Sequence, residues 1–258
     1  MKFARVNGQR QEAQPDLSGE CCGCGNPVNA KCGKQRVWHW AHIAGRVCDS
    51  WWEPETEWHR VWKSHFPADW QEIPQHAEDG ELHIADVKTG DGWVLEFQHS
   101  PIQPGERESR ETFYKSMIWV VDGRRRIKDV KQFSRAWAAG ESRFPLVEKR
   151  RIASPKGALL EEWAGSRAHV FFDFGEEQLW WLFPASDALR AYVRYISRGQ
   201  FVGLHRQTTR HGPTEFDALV QNFGAYVGLY EPPPPTHRPQ RPPEIPYFKP
   251  TIGRAFRF

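Results

Sequence analysis

Residues 82–98 read LHIADVKTGDGWVLEFQ, and this stretch constrains the fold more than any other part of the chain. Apolar and polar residues alternate on both sides of the turn-forming segment 89–92, which predicts two antiparallel strands joined by a hairpin. Asp86 lies on the first strand, and Glu96 and Gln98 share one face of the second. Because paired strands lie about 4.8 Å apart, the two carboxylates are close enough to hold one cation.

Carboxylates on the inward face of an apolar strand carry a desolvation cost, which a hard cation such as Mg²⁺ would offset. Asp86 and Glu96 therefore predict a divalent metal and phosphodiester chemistry. The alternative interpretation is that both are solvated polar positions on a half-exposed sheet.

The segments that flank the hairpin predict an α/β core. Residues 54–66 carry an apolar stripe at helical spacing, with the proline in the first turn and Glu57 beside the stripe. Residues 101–117 predict a second helix, on which Arg110 and Tyr114 share a face. An extended EIPQH segment before the hairpin and an IWVVDG strand after the second helix give the order helix, three strands, helix, strand.

All five cysteines lie within the first 48 residues, which favours a small metal site. Cys21 and Cys24 have the spacing at which two thiolates bind one tetrahedral Zn²⁺, and His42 with Cys48 completes the predicted set of four. His39 is the alternative histidine, since residues three apart in an extended segment face different ways and only one is expected to bind. Free thiols and disulfides are the other interpretations, and the odd number of cysteines disfavours disulfides.

Taken together, these motifs resemble the competence protein CoiA-like family, a branch of the PD-(D/E)XK nuclease-like superfamily. The likeness covers residues 18–135. It rests on the Cys21-x2-Cys24 pair, HWAH at 39–42, ETEWHRVWK, HIADVKTGDGWVLEFQHS, the Arg110-x3-Tyr114 pair and IWVVDG.

The resemblance implies a restriction-endonuclease-like mixed sheet flanked by helices, with the acidic hairpin as the active site. Asp86 matches the metal-binding aspartate of the superfamily and Glu96 its second acid. Gln98 stands where many members carry lysine, and it offers a neutral donor and acceptor instead of a positive charge.

The implied activity is hydrolysis of single- or double-stranded DNA in DNA uptake, recombination, repair or mobile-element defence. Asp86 and Glu96, with Glu57 or Glu72, would hold Mg²⁺ or Mn²⁺, and Gln98 would position the attacking water. A non-catalytic nucleic-acid-binding protein on the same scaffold is the main alternative, because Gln98 lacks the charge to assist turnover. A toxin or antiphage effector is a third option. The residues expected to bind the phosphate backbone are Arg110, Tyr114, Arg124 and Arg125.

Four regions are expected along the chain. They are a zinc-binding module at 1–50, the nuclease-like core at 51–150, an accessory α+β region at 151–230 and a Pro-rich extended tail at 231–258 that could bind a protein partner. In the accessory region, HVFFDFGEEQLWWLFP predicts two strands around Gly175, and SDALRAYVRYISRGQ predicts an amphipathic helix.

Composition sets the remaining limits. The 258 residues are 39% hydrophobic, which suffices for a globular body. No stretch of 18 apolar residues and no signal-peptide pattern occurs, which predicts a cytoplasmic location without membrane association. A net charge of +3 does not by itself indicate a nucleic-acid partner, and the basic cluster at 124–135 fits either phosphate contact or a solvated helix face. Most of the thirteen tryptophans are expected to be structural, and base stacking requires an exposed ring.

Overall fold

The computed structural model describes residues 1–43, 48–77, 80–142, 148–207 and 212–228. The Pro-rich tail expected at 231–258 lies outside these residues. Within them, the chain forms two sheets and six α-helices. None of these helices combines the length and the apolar composition that a membrane span requires.

The N-terminal residues form a five-stranded antiparallel sheet in the order β2-β1-β3-β4-β5. A small core that includes Ala4, Val28 and Trp40 lies against it. The strands are β1 (Phe3–Val6), β2 (Gln9–Glu12), β3 (Ser18–Cys21), β4 (Pro27–Lys31) and β5 (His39–His42).

The remaining strands form one mixed sheet of eight, in the order β10-β13-β12-β11-β9-β8-β7-β6. The pairs β8–β9 and β9–β11 are parallel and the others are antiparallel. The strands are β6 (Gln71–His76), β7 (Leu82–Lys88), β8 (Val94–Gln98), β9 (Met117–Asp122), β10 (Lys149–Ala153), β11 (His169–Asp173), β12 (Gln178–Leu182) and β13 (Arg190–Ser197).

Helices cover both faces of this central sheet, so β8, β9 and β11 are buried along their whole length and their sequences are mainly apolar. One core joins α1, α5 and α6 to the sheet around Trp62, Phe171 and Phe223. The other joins α2, α3 and α4 around Trp119, Phe133 and Leu160. The helices are α1 (Glu57–Ser64), α2 (Pro104–Tyr114), α3 (Asp129–Ala138), α4 (Ala158–Trp163), α5 (Arg198–Arg206) and α6 (Glu215–Gly228), and a 3₁₀ turn spans Ala68–Trp70.

The start of α1 differs from the expected one. Thr56 is the N-cap, and its hydroxyl and the His59 side chain form a reciprocal capping box. The helix therefore begins at Glu57, and Pro54 lies before it instead of in its first turn. Its buried face includes His59 and Trp62, whereas the apolar side chain of Val61 is exposed.

The predicted order helix, three strands, helix, strand is confirmed by α1, β6, β7, β8, α2 and β9. The two strands predicted around Gly175 are also present, as β11 and β12. The helix predicted over SDALRAYVRYISRGQ is wrong, because its centre forms β13, where aromatic and β-branched residues favour a strand. The expected boundary at residue 150 falls inside β10, and strands β10–β13 continue the sheet of the core.

Candidate metal centre and acidic cavity

Four side chains of the N-terminal sheet and the segment after it converge on one point. The Sγ atoms of Cys21 and Cys48 are 3.7 Å apart, and Cys24 Sγ lies 3.3 Å from His42 Nε2. All four potential ligand atoms lie within 4.8 Å of one another. In a tetrahedral zinc site with Zn–S of about 2.3 Å and Zn–N of about 2.0 Å, ligand atoms are about 3.5–3.8 Å apart. The Cys₃His cluster could therefore bind a metal such as zinc.

The chemistry of the predicted ligands supports the same conclusion. The hydrogen bond with Cys48 lowers the pKa of Cys21 against the effect of burial, and the same contact raises the pKa of Cys48, so Cys21 is the member of the pair that favours the metal-binding thiolate form. His39 Nδ1 lies 2.9 Å from the Val37 carbonyl oxygen, outside the cluster, so His42 is the histidine that joins it. All five cysteines are free thiols, so no disulfide forms.

A cavity of ≈ 320 Å³ lies between the two sheets, and both contribute to its walls. His42 and Cys48 line it from the N-terminal side, and Asp86 and Glu96 line it from the hairpin. The segment that follows Cys48 supplies a further wall, formed by Asp49, Trp51, Trp52, Glu53 and Glu55. The candidate zinc cluster and the acidic hairpin are therefore neighbours in one cavity.

The hairpin opens where its two acids meet. The ladder between β7 and β8 ends at the Val87–Leu95 pair. Beyond that pair, the Asp86 backbone N–H donates to Glu96 Oε1 at 3.1 Å, and the Phe97 N–H donates to Asp86 Oδ2 at 3.0 Å. Each carboxylate thus replaces a ladder bond on the opposite strand, which fixes both acids at the cavity wall.

Helix α2 brings two polar side chains to Glu96. Burial and the charge of Asp86 raise the pKa of Glu96 well above its usual range, although the Arg110 guanidinium acts in the opposite direction. Arg110 Nη1 lies 3.4 Å from Glu96 Oε2. Burial also raises the pKa of Tyr114, so its phenol stays protonated and can donate a hydrogen bond. Both α2 residues line the cavity, on the shared face that the sequence predicted.

A buried lysine on α1 supplies a second positive charge. Lys63 is 2% exposed, and its Nζ lies 2.6 Å from Glu55, 3.0 Å from Glu72 and 3.5 Å from Asp86. Burial alone would lower the pKa of Lys63, but the carboxylates of Glu72, Asp86 and Glu55 raise it. The ammonium group therefore remains charged beside Asp86.

Asp49 connects the Cys₃His cluster to strand β7. It directly follows Cys48, and its carboxylate accepts a hydrogen bond from the Ile84 backbone N–H at 2.8 Å. Its other oxygen lies 2.7 Å from His83 Nδ1. Ile84 is two residues from Asp86 on the same strand. The hydrogen bond from Ile84 to Asp49 therefore connects the strand that carries Asp86 to the segment that carries Cys48.

Glu72 forms a second connection, from β6 to β1. Its carboxylate accepts from the backbone N–H groups of Lys2 at 2.7 Å and Phe3 at 3.1 Å. Glu72 has a left-handed backbone with φ of 48°, an unfavourable conformation for a residue with a side chain. These contacts and the bond from Lys63 lower the pKa of Glu72 against the effect of burial.

Residues 11–50 match the family model for the N-terminal domain of the competence protein CoiA. The matched range contains all four residues of the Cys₃His cluster. This region of the chain is therefore similar to the N-terminal domain of CoiA-like proteins. Searches of curated proteins and of solved structures gave no match. The acidic hairpin of this CoiA-like chain lies outside the matched range.

Gln98 does not lie in the cavity of this CoiA-like chain, contrary to expectation. It is two residues beyond Glu96, which corresponds to about 6–7 Å along a strand. Its Nε2 donates to the Ser100 carbonyl at 2.9 Å, and its buried Oε1 has no hydrogen-bond partner among the described residues. Gln98 is therefore not part of the cavity lining that holds the two acids.

Glu57 also lies away from the cavity. It is the first residue of α1 and is exposed to solvent. Because the helix starts only at this residue, the extended segment before it places Glu53 and Glu55 at the cavity wall instead. Glu72, the other acid proposed from the sequence, does line the cavity.

The two arginines expected after β9 differ in environment, and neither lines the cavity. Arg125 is buried against Glu162 and donates to the Ser100 carbonyl at 2.7 Å, so its charge is already paired. Arg124 is exposed, with Nε 3.8 Å from Asp122. Of the two, only Arg124 remains accessible to a phosphate.

Proposed function

We propose that this CoiA-like chain is a nuclease of the PD-(D/E)XK type that hydrolyses DNA phosphodiester bonds with Mg²⁺ or Mn²⁺ in a competence-related process, such as DNA uptake or recombination. One observation carries the proposal. Asp86 and Glu96 face each other at the open end of the hairpin, on the wall of a cavity that also contains Lys63 and Arg110.

The two acids suit a magnesium-type cation. Such ions are commonly held by one or two carboxylates, with water and phosphate oxygens completing the shell. Asp86 Oδ1 and Glu96 Oε2 make only long ion pairs, of 3.5 Å and 3.4 Å, so these oxygens can take a further ligand. When bound there, the cation would supply Lewis-acid polarisation of a phosphoryl oxygen and an activated water.

The side chains around the acids would handle the charge of the substrate. Lys63 and Arg110 place one positive charge beside each acid, where negative charge on a pentacovalent phosphate needs stabilisation. Lys63 therefore takes the cationic role for which the neutral Gln98 is unsuited. The protonated Tyr114 offers a hydrogen-bond donor on the same wall.

A non-catalytic nucleic-acid-binding protein is the second candidate, and one observation favours it. Lys63 and Arg110 already pair with Asp86 and Glu96, so the acids are partly neutralised without a divalent cation. In a non-catalytic binding protein, the Lys63 ammonium group would permanently occupy the position beside Asp86 that a divalent cation takes in a nuclease.

Incubation of the purified protein with end-labelled single-stranded and duplex DNA in Mg²⁺ or Mn²⁺ separates the two candidates. The nuclease proposal expects cleavage that is lost in Asp86→Asn and retained in Glu57→Gln, the matched variant of an acid outside the cavity. An unchanged cleavage rate in Asp86→Asn would refute the nuclease proposal. The absence of cleavage by an unmodified chain that binds the DNA would also refute it.

A further inference from the structure

Two tryptophans differ from the rest in their exposure. Of the thirteen in the chain, Trp38 is 48% exposed and Trp52 is 46% exposed, and the others are buried or half-buried. Trp51 illustrates the common case, since its ring stacks on His83 and meets Phe113 edge to face. In the part of the chain that is described, the rings of Trp38 and Trp52 pack against no aromatic ring or cation.

Both exposed rings belong to segments that border the acidic cavity. Trp52 lines the cavity together with Asp86 and Glu96. Trp38 directly precedes His39, which lines the same cavity, and its carbonyl oxygen accepts a hydrogen bond from Arg60 at 2.6 Å. Arg36, two residues before Trp38, is exposed and also lines the cavity.

This combination of groups suits one kind of ligand. Proteins that bind single strands pair cationic side chains, which contact phosphates, with aromatic rings on which successive bases stack. The bases of a duplex are already stacked on one another and cannot meet such a ring. Arg36 provides a charge for a phosphate, and Trp52 provides an open aromatic face beside the acids.

We propose that Trp52, assisted by Trp38 and Arg36, forms a stacking site for unpaired bases, so that the substrate of the cavity is a single strand or a single-stranded end. The identity of the polymer as DNA rests on the proposed function. The stacking site is supplied by the N-terminal domain and the segment after it, which gives that domain a direct part in substrate selection.

The test is fluorescence anisotropy of the full chain with a labelled single-stranded oligonucleotide and a blunt duplex, without a divalent cation, so that cleavage does not enter the measurement. Trp52→Ala should weaken single-strand binding about 5- to 150-fold, the usual effect of losing one stacking ring, and should leave duplex binding unchanged. Trp52→Phe should retain most of the affinity because it keeps an aromatic face. Arg36→Ala should reduce the slope of log K against log salt concentration by about 0.7 on the single strand.

Leu189→Ala, which truncates an exposed apolar side chain that does not line the cavity, is the control and should bind as the unmodified chain does. If Trp52→Ala and the unmodified chain bind the single strand with equal affinity, the proposal is overturned. The exposed ring of Trp52 would then be a contact for a protein partner. An equal loss on the duplex would also overturn it. If Trp52→Ala weakens single-strand binding but the unmodified chain does not cleave DNA, the nuclease proposal fails and the stacking site stands.

Discussion

Replacing Asp49 by alanine should loosen strand β7 while the Cys₃His cluster keeps its metal. Asp49 is not a member of the cluster, but it directly follows Cys48. Its carboxylate accepts from the backbone N–H groups of Ile84 at 2.8 Å and Trp51 at 2.9 Å. The substitution removes these contacts and the one to His83, and it leaves polar groups without partners near Asp86.

The size of the effect follows from those contacts. Hydrogen bonds to a charged group contribute about 1.5–3 kcal/mol each, and bonds that share one carboxylate are not additive. Local opening of β7 should therefore become about 2–3 kcal/mol easier, which corresponds to about 30- to 150-fold faster exchange of the protected amides.

Hydrogen–deuterium exchange of the peptide that covers residues 82–88 measures this opening, and elemental analysis of the same sample measures the metal. Asp217→Ala is the matched control, because Asp217 also accepts a backbone hydrogen bond, from Thr214 at 2.7 Å, but lies in α6. Removing the metal from the unmodified chain should accelerate exchange in the same peptide.

Unchanged exchange of residues 82–88 in Asp49→Ala would refute the proposed connection between the cluster and the acidic strand. Loss of the metal in that variant would also contradict it, because Asp49 would then support the cluster itself.

Three further outcomes are expected. Cys24→Ser should lose the zinc that elemental analysis is expected to find at one ion per chain, and zinc-free protein isolated without chelators would contradict the metal site. Lys63→Met should lower the free energy of unfolding, measured in urea, by about 3–5 kcal/mol because it leaves buried carboxylates unpaired. A change near zero would show that these carboxylates are solvated and do not depend on Lys63. His205 is fully buried, and burial lowers its pKa from 6.5 to about 3, so the unfolded chain binds more protons and stability falls as pH drops from about 6.5 towards 3. Between pH 7 and pH 4, His205→Leu should lose about 3 kcal/mol less stability than the unmodified chain does. The variant of the exposed histidine, His76→Leu, should not show this difference.

The parts of the site that lie close together in sequence were predictable. Alternation and a turn predict the hairpin that carries Asp86 and Glu96, and Cys-x2-Cys spacing with nearby histidines and a later cysteine predicts a metal site. The choice of His42 over His39 required the structure, because both residues belong to β5 and only their environment distinguishes them.

The parts that depend on contacts between distant segments were not predictable. Lys63 sits next to Trp62 in a helical stripe, and nothing in the sequence indicates that three carboxylates from other segments meet it. A helix with Pro54 in its first turn places Glu57 beside the apolar stripe, whereas the structure places Glu55 at the cavity wall. The threonine at position 56, a residue preferred at helix N-caps, was the signal that could have corrected the expected helix start.

The strand β13 shows how tertiary context overrides a local pattern. The segment AYVRYIS fits either a helix or a strand by its apolar spacing, but its neighbours β10 and β12 pair with it on both edges. Its β-branched and aromatic residues favour a strand over a helix and were the local signal for this outcome.

The most direct test of the central claim is the single-turnover rate of DNA cleavage as a function of Mn²⁺ concentration, compared between the unmodified chain and Glu96→Gln. If Asp86 and Glu96 hold the catalytic cation, the unmodified chain should cleave with a rate that saturates in Mn²⁺. Glu96→Gln should bind the same DNA but cleave at least about 100-fold more slowly at every Mn²⁺ concentration. Equal rates and equal Mn²⁺ dependence in the two proteins would contradict the assignment of the hairpin as the active site.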